Sequence, residues 1–120
     1  CLAVTDGEYE RAREGRERYR EQLAEAAAGG DLVLTPTLLC VAPPAPAEEL
    51  ALRGRLIKLS YPVNATGWPR GALPCGPAEE GLPASVQLVG RPGDDARVLA
   101  AGGLLASLIR GTAAAPRMPN

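Results

Sequence analysis

The sequence predicts an α/β chain in which short strands form a sheet flanked by helices, and three observations carry that prediction. Apolar residues recur at steps of three and four in separate stretches, the spacing of one helical face. The run Leu32-Val33-Leu34 is apolar without interruption, which suits a strand covered on both faces, as in a sheet with helices on each side. Ser85-Val86-Gln87-Leu88-Val89 alternates polar and apolar instead, the period of a strand with one buried face.

The elements follow in order. Thr5 and Glu8 have the capping-box spacing, so a helix is expected over residues 6–28, ended by Gly29 and Gly30. Its apolar stripe is narrow (Tyr9, Ala12, Tyr19, Leu23, Ala26, Ala27), and Glu8–Arg11, Glu10–Arg13, Glu14–Arg18 and Glu17–Arg20 can pair on its solvated side. Residues 31–37 read as a buried strand, and the prolines at 43, 44 and 46 exclude regular structure beyond it. Leu50, Leu52, Leu56 and Ile57 mark a second helix over 47–58. Pro62, Asn64, Gly67 and Pro69 give 61–69 the look of a loop, in which Asn64 would bond the backbone through its side chain. Residues 71–75 and 84–90 are expected to pair as an antiparallel hairpin. A last helix opens at Asp94 and Asp95, buries Val98, Ala101, Leu105, Leu108 and Ile109, and stops at Gly111. The domain is accordingly drawn over 1–111, with 112–120 as a loose tail.

Composition excludes several functions. The net charge is −1 and basic residues alternate with acidic ones, so nothing attracts a nucleic-acid backbone or an anionic membrane. No apolar run is long enough to span a bilayer, and residence in the cytoplasm is the expectation. The chain contains no His, which removes Ser-His-Asp and Cys-His mechanisms and leaves Cys1, Cys40 and Cys75 without a partner for a zinc site. The three cysteines read as free, mostly buried thiols, and no metal or cofactor is expected. The chain opens at Cys1 and has its single Met at 118, which leads to the expectation of a missing upstream portion.

Several motifs occur in a fixed order: Asp31-Leu32-Val33-Leu34-Thr35-Pro36-Thr37, Pro62-Val63-Asn64-Ala65-Thr66-Gly67-Trp68-Pro69, Leu73-Pro74-Cys75-Gly76, and Gly81-Leu82-Pro83-Ala84-Ser85-Val86-Gln87-Leu88-Val89-Gly90-Arg91-Pro92-Gly93-Asp94-Asp95. Together with the helix around Tyr9-Glu10-Arg11-Ala12-Arg13, this order resembles the C-terminal third of amidase-signature enzymes. The resemblance implies part of an α/β/α fold around a mixed sheet, from a cytoplasmic amidohydrolase that cleaves small carboxylic amides through a Ser-Ser-Lys acyl-enzyme. Its closest rival is the glutaminase subunit of a tRNA-dependent amidotransferase, which shares the fold, and a non-catalytic assembly module is a third reading. The partners implied are the missing N-terminal part, a small amide substrate and a second copy of the chain, with neither nucleic acid nor membrane. Arg70 and Trp68 depart from the family pattern, which favours smaller side chains there.

The family's catalytic residues have no counterpart here. Lys58 is the only lysine, and the serines are Ser60, Ser85 and Ser107, none in a Gly-Gly-Ser-Ser setting. Lys58 lies two residues from Ser60, but nothing in the sequence desolvates the lysine or supplies an oxyanion hole, so no catalytic residue is assigned. The resemblance implies that residues 57–61 approach the substrate channel, with Ile57 and Tyr61 as substrate-binding residues. From the residues alone, Ile57, Leu59 and Tyr61 read as ordinary core positions. Residues 90–95 lack the Gly-Lys-Ser/Thr ending of a phosphate loop and read as a helix-entry turn.

Overall fold

The computed structural model describes residues 3–45 and 49–113. It contains α1 (Asp6–Ala26), β1 (Val33–Pro36), α2 (Glu49–Ile57), α3 (Tyr61–Thr66), β2 (Arg70–Pro77), a 3-10 turn (Glu79–Gly81), β3 (Pro83–Val89) and α4 (Asp95–Ala113). The first turn of the second expected helix, residues 47 and 48, lies outside the described residues, as do Cys1 and most of the tail expected over 112–120.

The three strands lie in the order β1-β3-β2 with every pairing antiparallel, a small sheet flanked by helices in the α/β arrangement that was expected. β3 is the central strand: Val33 faces Val89 on one side and Arg70 faces Val89 on the other. The expected pairing of 71–75 with the later strand holds, with a bulge between Pro74 and Gly76 that sets Cys75 out of register.

Each face of the sheet has its own cover. On one, Val33 and Val89 meet Ala27, Val63, Trp68 and Leu23, the main apolar cluster. On the other, α4 lies over β2 and the adjoining part of β3, with Val98 against Gly71 and Gly102 close to Leu73. At Gly90 an added Cβ would stand 2.7 Å from Val98 Cγ2 and 2.9 Å from the Asp94 Cβ, so α4 can enter this closely only over a glycine.

Four expectations change here. Leu34 is 57% exposed, because α4 packs over β2 and β3 and leaves that face of β1 open. Residues 61–66 form a helix rather than a loop: Pro62 occupies its first turn, where a missing N–H costs nothing, and Gly67 closes it in the left-handed conformation at φ 72°. Asn64 consequently acts through its backbone, its N–H donating to the Ser60 carbonyl and its carbonyl accepting from Gly67. The last helix passes through Gly111 to Ala113, since Gly111 does not take the positive φ that would stop it, and Leu108, expected on the buried face, is 67% exposed.

The start of α1 is built as expected. The Thr5 hydroxyl accepts from the Glu8 N–H, while the Glu8 carboxylate accepts from the Thr5 N–H at 2.8 Å and from its hydroxyl at 2.7 Å. Those bonds, the backbone one foremost, hold the Glu8 carboxyl below the ordinary glutamate range. They also turn Glu8 away from the expected pairing with Arg11, whereas Glu10–Arg13, Glu14–Arg18 and Glu17–Arg20 do form. No residue within α1 is buried, and it packs mainly on α3. Its far end is tied down by Arg91, which donates to the carbonyls of Ala27 (2.7 Å) and Gly30 (3.1 Å).

Candidate functional site

The feature with most built-in chemistry is a cleft of about 120 Å³ between the last turns of α1, strands β1 and β3, and the connection from α2 to α3. Tyr19, Leu23, Val33 and Val63 give it apolar walls, and Gln87 and Thr35 supply its polar groups. Gln87 is 1% exposed and is the largest side chain so deeply buried.

Burying a carboxamide is costly unless its donors and acceptor are matched, and here they are. Gln87 Nε2 donates to Thr35 Oγ1 at 3.0 Å and to the Leu59 carbonyl at 3.0 Å. Gln87 Oε1 accepts from Arg70 Nη1 at 3.1 Å. One side chain on the central strand thereby bonds to both neighbouring strands and to the segment between two helices. Arg70, where the family pattern favours a small residue, supplies the charged arm of this arrangement. Alternation along β3 puts Gln87 on the face of Ser85, which reads as a solvated side. What covers it, residues 59–63, is remote in sequence and gave no signal of its own.

The residues singled out for binding are not among those that line this cleft. Ile57 ends α2 and is 39% exposed, and Tyr61 opens α3 and is 63% exposed, so neither is the core position that the residues alone suggest. Tyr61 lines a second, shallower cleft with Ala12, Arg16, Tyr19, Pro62 and Ala65, and Ile57 is not among its lining residues. Leu59, between them, is half-buried and carries the carbonyl bound by Gln87.

Two of the serine hydroxyls are bonded to nearby backbone carbonyls. The Ser60 hydroxyl donates to the Ile57 carbonyl at 3.4 Å, and the Ser107 hydroxyl donates to the Gly103 carbonyl at 3.0 Å within α4. Lys58 is exposed. Cys40 and Cys75 are free thiols, but Cys75 is exposed and Cys40 half-buried, contrary to the expectation of mostly buried cysteines; the bulge in β2 turns Cys75 outward. Among the described residues no group of His, Cys, Asp and Glu could hold a metal ion. Residues 90–95 are the helix-entry turn that was expected: the Asp94 carboxylate accepts from the Arg91 N–H at 3.2 Å, and Arg97 pairs with Asp31.

The Amidase family model matches residues 3–99. The chain belongs to the amidase family. It is 37% identical over 102 residues to a glutamyl-tRNA(Gln) amidotransferase subunit of Synechococcus sp. (strain CC9902), covering 78% of this chain and 20% of the relative. It is 30% identical over 104 residues to a fatty acid amide hydrolase of Medicago truncatula, covering 81% and 17%. Among solved structures, an amidase crystal structure superposes with a TM-score of 0.78 at 35% identity over 88% of this chain and 26% of its own. The corresponding glutamyl-tRNA(Gln) amidotransferase subunit of Thermotoga maritima superposes with a TM-score of 0.64 at 26% identity, over 78% and 21%. This amidase chain thus spans about a fifth of the length of the curated relatives it matches. Its helices and small antiparallel sheet are an α/β arrangement shared with the amidase structure. No helix of the described residues is long and apolar enough to cross a membrane.

Proposed function

We propose that this chain is the C-terminal portion of a cytoplasmic amidohydrolase that cleaves small carboxylic amides through a Ser-Ser-Lys acyl-enzyme, and that residues 1–111 serve it as scaffold and pocket wall. The observation that carries the reading is the family match over residues 3–99 in a chain that spans about a fifth of its curated relatives' length. In such a reaction the nucleophile expels ammonia or an amine, and water then removes the acyl group. The upstream part of the protein would supply nucleophile, proton shuttle and oxyanion donors, and Ile57 and Tyr61 would line the substrate channel. No cofactor enters this chemistry. A second copy of the chain is a further candidate partner.

A second reading, the glutaminase subunit of a tRNA-dependent amidotransferase, is favoured by the 37% identity to a glutamyl-tRNA(Gln) amidotransferase subunit. The discriminating experiment treats the 120-residue chain and its full natural counterpart with a panel of aliphatic and aryl amides, glutamine, and a serine-directed fluorophosphonate. The expectation is labelling and turnover in the full chain only, unaffected by Ser60→Ala or Lys58→Ala. Turnover by the 120-residue chain that either substitution abolishes would place the catalytic centre here. Turnover restricted to glutamine, with copurifying subunits, would favour the second reading. A full chain with neither labelling nor turnover would leave the assembly module.

A further inference from the structure

The Leu59 carbonyl sits midway between Ile57 and Tyr61, and Gln87 Nε2 donates to it from the central strand. We propose that Gln87 is a positioning residue, whose buried carboxamide fixes the Leu59 carbonyl and with it the backbone that carries Ile57 and Tyr61. The inference rests on the pocket-wall reading of that segment.

The argument begins with cost. Gln87 faces Val33, Val63 and Val89 at 1% exposure, where leucine or methionine would fill the space with no polar group to desolvate. A carboxamide is worth its place there only through the bonds it makes, and it makes them to three different parts of the fold. Two of these, to Thr35 on β1 and Arg70 on β2, join strands already joined by backbone ladders. The third is not redundant. The hydrogen bonds at Ile57 and Ser60 are local: the Ser60 N–H and hydroxyl both donate to the Ile57 carbonyl, and the Asn64 N–H donates to the Ser60 carbonyl. These shape the turn between α2 and α3 without saying where it lies on the sheet. The bond from Gln87 to Leu59, across 28 positions of sequence, ties the turn itself to the central strand, beside the packing of Val63 on Val33 and Val89. Arg70 holds the acceptor end of the carboxamide, which orients the donor end toward Thr35 and Leu59.

The test compares wild type, Gln87→Met and Thr35→Val in the full natural chain by peptide-resolved hydrogen exchange. Methionine keeps the length and removes both donors, so exchange of amides in 57–64 should rise about tenfold more than exchange in the β2–β3 ladder. Thr35→Val leaves the bond to Leu59 intact and should leave 57–64 unchanged. A uniform rise across the chain in Gln87→Met, or no rise in 57–64, overturns the proposal. Should Gln87→Met fail to fold, wild type itself decides, because Gln22, exposed on α1, is an internal reference. The Gln87 side-chain amide protons should be protected in NMR exchange where those of Gln22 are not, and equal exchange overturns the proposal. In the full chain acting on amides, Gln87→Met should raise KM and spare kcat, whereas an equal fall in kcat and kcat/KM would overturn the link to substrate. Absence of amide turnover in wild type would sink the hydrolase reading alone, since the exchange measurements need no activity.

Discussion

The exposed length of α1 and the buried surroundings of Gln87 are both rich in polar contacts, and the two use them to opposite effect. Along α1, Glu10–Arg13, Glu14–Arg18 and Glu17–Arg20 join side chains that are 41% exposed or more, at 3.1, 4.0 and 3.4 Å. Such pairs contribute a few tenths of a kcal/mol each, roughly 0.3–0.5 in helices, and salt screens them. Around Gln87, three hydrogen bonds of similar length are part-buried and converge on a side chain that is only 1% exposed. Removing that side chain orphans the partners as well as losing the bonds, which multiplies the cost. Position relative to solvent, rather than the number of contacts, decides which region specifies the fold.

The largest expected effect tests the buried side of this contrast. Gln87→Leu should destabilise the folded chain by about 3 kcal/mol, seen as a lower urea midpoint with unchanged slope. A loss no greater than that of a surface pair would break the contrast. An intermediate case is Arg91, whose guanidinium joins the α1 end to the α4 entry turn through Ala27 and Gly30. Arg91→Ala should cost about 1 kcal/mol and should loosen α1 more than the sheet, as circular dichroism and hydrogen exchange would register. If α1 kept its protection, the apolar contacts of Leu23 and Ala27 would be sufficient to hold it.

The smallest effect belongs to the fully exposed Glu8. Its carboxyl lies below the ordinary range in the folded chain, so the charged form favours the folded state. That contribution is present above the unfolded pKa and is lost as pH falls through the folded one. The first turn of α1 should therefore fray on acidification before the sheet is affected, and Thr5→Ala should remove this step. A first turn whose exchange is independent of pH after correction for intrinsic rates would argue against the capping box as the anchor.

What could be read from the sequence follows the range of the forces involved. The Thr5–Glu8 box, the pairing of β2 with β3 and the entry turn at Asp94 depend on residues a few positions apart, and each is found as expected. Pro62 and Gly67 were also visible, but the same two residues break a chain or bracket a short helix, and α3 takes the second course because Val63 and Thr66 are buried by packing that the local sequence does not encode. Gln87 was least legible. Alternation assigns it to the side of Ser85, and only the fold brings Leu59, Thr35 and Arg70 around it. The family resemblance pointed to residues 57–61, and the structure adds that the most buried polar side chain holds the middle of that segment.

The order of the sheet is also an order in time. β3 lies between β1 and β2 but is the last of the three to be translated, so among the described residues neither outer strand has its ladder until position 89 has been made. At about 5–20 residues per second, the stretch from the end of β1 to the start of β3 takes roughly 2–9 s to synthesise. Throughout that interval the nascent chain carries Leu32, Val33 and Leu34 without β3, while α1 can already form from local contacts. A pause with β1 outside the ribosome and β3 still inside it lengthens the exposure of that apolar run, whereas a pause after β3 has emerged does not.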